Sequence, residues 1–157
     1  MSFDPRQPHA RVMIQNIKSG RYLSIEGDAS NWPNDNASLT IRDRLDKPTL
    51  ENPQVWQIIQ FRSTSWVLFN QYSMRVACIR GQSTGNGATV IQYHTQGLAF
   101  QEWDFKPLPN GNWLIRNINS GMYIGPQDRS TANDRYCIQW DDQTEEDSYQ
   151  KWQFNPV

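Results

Sequence analysis

The sequence predicts an all-β fold built from three copies of one four-stranded unit, and three observations point there. A Gln-x-Trp motif occurs at Gln54-Val55-Trp56, Gln101-Glu102-Trp103 and Gln150-Lys151-Trp152, so tryptophan recurs at intervals of 47 and 49 residues in a chain of 157. Repetition at such a period decides the architecture before any other signal. No window sustains the i, i+3, i+4, i+7 apolar pattern of a helix, and Leu and Ala are sparse. Finally, 7 Trp, 6 Tyr and 6 Phe stand in a chain otherwise rich in Asn, Gln, Ser and Asp, which suits a compact aromatic core under many polar loops.

Each third opens with a hairpin. Val12-Met13-Ile14-Gln15-Asn16-Ile17-Lys18-Ser19-Gly20-Arg21-Tyr22-Leu23 and Trp113-Leu114-Ile115-Arg116-Asn117-Ile118-Asn119-Ser120-Gly121-Met122-Tyr123-Ile124 agree in register at Ile, Asn, Ile, Ser, Gly and Tyr. The middle copy, Trp66 to Asn70 followed by Ser73 to Ala77, is more diverged. Asn and Gly tolerate the positive φ that a tight turn between two strands requires. A polar loop follows (27–36, 81–87, 127–134), then a third strand, Leu39–Arg42, Val90–Tyr93 or Cys137–Trp140. A second polar loop (43–53, 94–100, 141–149) leads into the Gln-x-Trp strand, where Ile58, Phe105 and Phe154 follow two positions after the tryptophan, the period of a strand with one buried face. Twelve strands in three units form a β-trefoil, with six strands closing a barrel and six forming hairpins that cap it. Closure removes exposed sheet edges. The chain is expected to be a single domain over residues 1–157, with repeats at about 11–61, 62–108 and 109–157.

Charge nearly cancels, 15 Lys and Arg against 16 Asp and Glu, so nothing marks the chain for nucleic acid. The apolar runs are too short for a membrane helix, and residues 1–10 lack the apolar region of a secretory signal. A cytoplasmic protein is expected, with Cys78 and Cys137 as free buried thiols; the sequon at Asn36 matters only in a secreted protein.

Trp56, Trp103 and Trp152 read as core, one per unit near the axis. Gln54, Gln101 and Gln150 read as structural, their amides bonded to loop backbone. Three such motifs, each ending a four-strand unit, together with Asn-x-x-Ser-Gly-x-Tyr and the runs Val-Ile-Gln-Tyr and Cys-Ile-Gln-Trp-Asp, resemble the ricin B-type (R-type) β-trefoil lectins, and most of all the unsecreted fungal ricin B-like lectins. The similarity runs from about Arg11 to Pro156.

That resemblance implies sugar sites with an aromatic plate at the end of the third strand and an aspartate in the second strand of the hairpin. A plate stacks on the apolar face of a pyranose, and polar groups beside it take the hydroxyls. The plate positions here are Arg42, Tyr93 and Trp140; the aspartate positions are Ser24, Cys78 and Gly125, so no third keeps the carboxylate. The last third is the best equipped, with Trp140 as plate and Asp141, Asp128 and Asp147 as hydroxyl partners; Tyr93 and His94 form a second candidate site. The loop holding Asp141, Asp142, Glu145, Glu146 and Asp147 reads as solvated rather than as a calcium site. Trp32 is either an exposed anchor or folded under its own loop.

Catalytic constellations are nearly absent: the two histidines, His9 and His94, accompany no nucleophile motif, and there is no phosphate loop or zinc-spaced Cys/His set. The expected function is non-catalytic carbohydrate binding of galactose- or N-acetylgalactosamine-type or related glycans at atypical sites, without a cofactor or metal and with glycans or glycoproteins as partners. A dimer would supply avidity. The alternative is a protein-binding trefoil, a protease inhibitor or partner subunit, that has lost sugar binding.

Overall fold

The computed structural model describes residues 3–7, 11–143 and 148–157. Its twelve strands are β1 (Arg11–Asn16), β2 (Tyr22–Ile25), β3 (Leu39–Arg42), β4 (Val55–Arg62), β5 (Ser65–Asn70), β6 (Val76–Ile79), β7 (Val90–Tyr93), β8 (Trp103–Pro107), β9 (Trp113–Asn117), β10 (Tyr123–Pro126), β11 (Arg135–Trp140) and β12 (Trp152–Pro156). Strand β1 pairs with β4, β4 with β5, β5 with β8, β8 with β9, β9 with β12, and β12 returns to β1. Those six antiparallel strands close a barrel. The hairpins β2–β3, β6–β7 and β10–β11 cap one end, and they join each other through β3–β11 and the bridges Ser38–Ile91 and Thr89–Ile138. This is the β-trefoil.

The repeat is visible in hydrogen bonds as well as in strands. Trp56, Trp103 and Trp152 are all 0 % exposed. Their indole N–H groups donate to the carbonyls of Leu23, Ala77 and Ile124 at 3.1, 3.0 and 3.0 Å, tying each barrel strand to the cap hairpin of its own third. Asn16, Asn70 and Asn117, at the end of each opening strand, receive turn N–H groups on Oδ1. Their Nδ2 groups donate to the carbonyls of Tyr149, Pro53 and Phe100, at 2.8, 2.8 and 3.1 Å. Each acceptor is the residue before a motif glutamine of the preceding third. One buried asparagine therefore builds a turn and joins two thirds, which explains why the hairpin copies keep that residue.

Trp32 folds under its loop: it is 5 % exposed, donates to the Gly27 carbonyl at 3.1 Å and meets Tyr72 edge to face at 5.5 Å. It is core, and the exposed-anchor alternative falls. Strand β11 starts at Arg135, two residues before the expected Cys137, because Arg135 and Tyr136 pair with Ile41 and Thr40 of a distant hairpin.

Both cysteines are free and buried. Burial pushes the Cys78 thiol up to about 12 and raises Cys137 as well. At pH 8 neither thiol of the folded protein should react with a thiol-specific chromogenic disulfide, and both should react in denaturant. Rapid native labelling of either would contradict their burial.

Candidate functional site

In every third, the motif glutamine holds the loop beyond the third strand by hydrogen bonds from both ends of its amide. Gln54, Gln101 and Gln150 each donate Nε2 to the carbonyl of the residue after the plate position, Asp43, His94 and Asp141, at 2.9 Å. Their Oε1 atoms accept the N–H groups of Leu45, Gln96 and Gln143 at 2.8, 2.7 and 2.8 Å. A fully paired buried amide makes a rigid ledge for the plate beside it. Arg42, Tyr93 and Trp140 end β3, β7 and β11 on these ledges, each half-buried.

The last third carries the larger cleft, about 370 Å³, lined by Asp128, Arg129, Ile138, Trp140, Gln143 and Tyr149. Asp128 has φ 58° and pairs with Arg135. The Arg129 guanidinium lies 5.5 Å from the centre of the Tyr149 ring and bonds Gln143 Oε1. Two of the four side chains expected here, Trp140 and Asp128, thus share one cleft. Asp141 does not line it: the residue is exposed, its N–H donates to Asn86 Oδ1 at 2.9 Å and its carbonyl accepts Gln150. Asp147, with Glu145 and Glu146, lies outside the described residues.

Gly125, where the resemblance puts an aspartate, has a physical reason to be glycine. A Cβ there would stand 2.7 Å from Tyr149 Cδ2 and Cε2, so the Tyr149 ring fills the space that a side chain would need. Tyr149 is 4 % exposed and forms the floor of the cleft. Arg129 and Gln143 escaped the sequence reading because they belong to loops with no motif of their own.

The middle third has a smaller cleft of about 210 Å³, lined among others by Asn36, Cys78, Ile91, Tyr93, Gln96 and Phe100. Phe100 takes the place before its motif glutamine that Tyr149 takes in the last third, and Cys78, Ile91 and Phe100 form a small apolar cluster against Tyr93. His94 does not line this cleft. Its ring lies 4.2 Å from that of Tyr93, its Nδ1 is 2.9 Å from Asp35 Oδ2, and its N–H donates to Asp35 Oδ1 at 2.9 Å. Arg75 Nε shares that carboxylate at 2.7 Å. Burial pushes Asp35 up, but the hydrogen bonds from His94 and Arg75 hold it below the usual carboxylate range. In the first third Arg42 donates to the Gly27 carbonyl at 3.0 Å and pairs with Asp134 at 2.8 Å, which leaves that ledge under an ion pair instead of an aromatic plate.

A family model described as "ricin-type beta-trefoil lectin domain-like" matches residues 2–93 and 99–157. No curated protein matches the chain in sequence. Among solved structures, the designed threefold-symmetric protein ThreeFoil superposes with a TM-score of 0.84 at 22% identity, over 94% of this chain and 99% of that one. The Macrolepiota procera ricin B-like lectin in complex with lactose gives 0.77 at 16% identity, over 96% and 98%. An exo-β-1,3-galactanase from Clostridium thermocellum gives 0.81 at 24% identity, over 94% of this chain but 30% of the enzyme. At such identities these are likenesses of fold.

Proposed function

The chain belongs to the ricin-type β-trefoil lectin domain-like family, and from that premise we propose that it is a non-catalytic carbohydrate-binding protein whose principal site is the cleft of the last third. The observation that carries this reading is the half-buried Trp140 indole walling a cleft that also holds Asp128, Arg129 and Gln143. An aromatic wall takes the apolar face of a pyranose, and a carboxylate, an amide and a guanidinium offer both acceptors and donors for hydroxyls. Galactose or N-acetylgalactosamine termini are the sugars we assign, in keeping with the lactose complex of the Macrolepiota procera lectin. The Tyr149 ring over Gly125 makes this an atypical site, whose hydroxyl partners come from the loops instead of the hairpin.

Glycosidic hydrolysis ordinarily uses a pair of carboxylates across the bond. Among the described residues lining this cleft Asp128 is the one carboxylate, and it is paired with Arg135, which favours binding over turnover. One shallow site of this kind should bind with a Kd of about 1 mM. Avidity then comes from the Tyr93 cleft as a second site or from a dimer. The two free buried thiols support a cytoplasmic setting.

A glycan array tests the assignment. Signal on galactose-terminated glycans is expected from the unmodified protein, and its loss from Trp140→Ala. A blank array would move the assignment to the protein-binding reading, for which the 43–53 loop presents Leu50 at 64 % exposure; signal indifferent to Trp140→Ala would overturn the cleft of the last third as the principal site.

A further inference from the structure

Three equivalent pairs of hydrogen bonds cross from one third to the next and bracket the plate positions. Asp35 Oδ1 accepts the backbone N–H of His94 at 2.9 Å, Asn86 Oδ1 that of Asp141 at 2.9 Å, and Asn133 Oδ1 that of Asp43 at 2.8 Å. Every donor is the residue immediately after a plate; every acceptor belongs to the polar loop of the preceding third, the first third following the last. The residue after each acceptor, Asn36, Gly87 or Asp134, has positive φ (70°, 89° and 64°). It turns its own N–H onto the carbonyl of the residue before the plate, Gln92, Gln139 or Ile41, at 2.9, 2.8 and 2.8 Å. Each plate is thus held on both sides by a neighbour, and each face is built by two thirds.

The last third shows what the bracket does to a side chain. A Cβ on Gly87 would lie 3.5 Å from Trp140 Cζ3, so the loop backbone backs the indole directly. Gln139 fixes that same loop by donating Nε2 to the carbonyls of Ser83 at 3.0 Å and Gly85 at 2.8 Å. The Asn86 side chain closes the arrangement on the far side of Trp140.

The geometry points to Asn86 as the positioning residue of the Trp140 face, an acceptor lent by the middle third that sets the plane of the indole on which a sugar stacks. This rests on the reading of Trp140 as the plate. Asn86 touches no ligand in this scheme; it acts through the N–H of Asp141, by holding the backbone that carries the indole. Because Asp141 is exposed, water can replace the lost acceptor, and global stability should hardly change when Asn86 is truncated. Pre-organisation of the plate is what suffers. Asp35 performs the same task for His94, so an aspartate at position 86 should restore it.

The experiment uses the full chain by NMR, with lactose as the probe. In Asn86→Ala we expect a weaker NOE between the Trp140 ring and the Gly87 α-protons, faster exchange of the Asp141 amide and an affinity for lactose reduced about three- to tenfold, the fold-change that one net hydrogen bond corresponds to. Tm should stay near that of the unmodified protein, and Asn86→Asp should recover all three signals. A retained NOE in Asn86→Ala overturns the proposal, as does unchanged lactose affinity where Trp140→Ala abolishes binding. Lactose binding that survives Trp140→Ala, or is absent from the unmodified protein, instead sinks the reading of the face as a sugar site. The NOE and the amide exchange then decide the role of Asn86 by themselves.

Discussion

Replacing Trp103 by alanine is expected to cost about 3–5 kcal/mol of stability, a large share of the ~5–15 kcal/mol available to a domain. The indole is 0 % exposed, so its removal leaves a cavity in a core that can collapse only in part. It also strands the Ala77 carbonyl, which accepts the indole N–H at 3.0 Å from a residue that is itself 0 % exposed. Truncation therefore combines lost apolar burial with an unpaired buried acceptor. Trp56 and Trp152 make the same contact with Leu23 and Ile124, and their alanine variants should fall in the same range. Urea unfolding with unchanged slope measures the difference. A loss below about 1 kcal/mol for Trp103→Ala would contradict a core role of this kind.

What could be read in the sequence was whatever repeats along it. The Gln-x-Trp spacing, the Asn-x-x-Ser-Gly turn and the period-two runs are short-range patterns, and they marked the strands, the barrel and its caps. Even the glutamine clamps are local, since Gln150 reaches back no farther than Trp140, Asp141 and Gln143. The site was less legible. Trp140 follows from the family pattern and Asp128 from the search for a carboxylate to replace its missing aspartate, yet Arg129 and Gln143 sit in loops with no periodicity. Asn86 contacts Asp141 across 55 residues, and nothing local marks such a pair. Trp32 shows the same limit: an aromatic in a polar loop has one composition whether it faces solvent or, as here, packs against Tyr72. Gly125 could be seen as a departure, but its cause could not, because the reason is a ring 24 residues later in the chain.

Restoring the aspartate expected from the family resemblance, Gly125→Asp, should damage the protein before it helps the site. Its Cβ would meet Tyr149 Cδ2 and Cε2 at 2.7 Å and Gln150 Cγ at 3.2 Å, distances at which the neighbours must move. Neither can do so freely. The Tyr149 carbonyl accepts Asn16 Nδ2 at 2.8 Å and its ring lies under the Arg129 guanidinium, while the Gln150 amide spans Asp141 and Gln143. Overpacking of this sort costs about 1–3 kcal/mol, and desolvating a carboxylate at a buried position adds to it. The single variant should melt lower and gain no affinity for galactose. Tyr149→Ala removes the obstruction at the expense of a cavity, so the two changes should compensate: the double variant is expected to be more stable than the sum of the singles predicts, by about 0.5–3 kcal/mol. It is also the variant in which a hairpin carboxylate could reach a sugar beside Trp140. Thermal melts of the four proteins, with galactose titrations alongside, measure both effects. Strict additivity would mean that Tyr149 does not hold the place of the missing side chain, and that the glycine has some other cause.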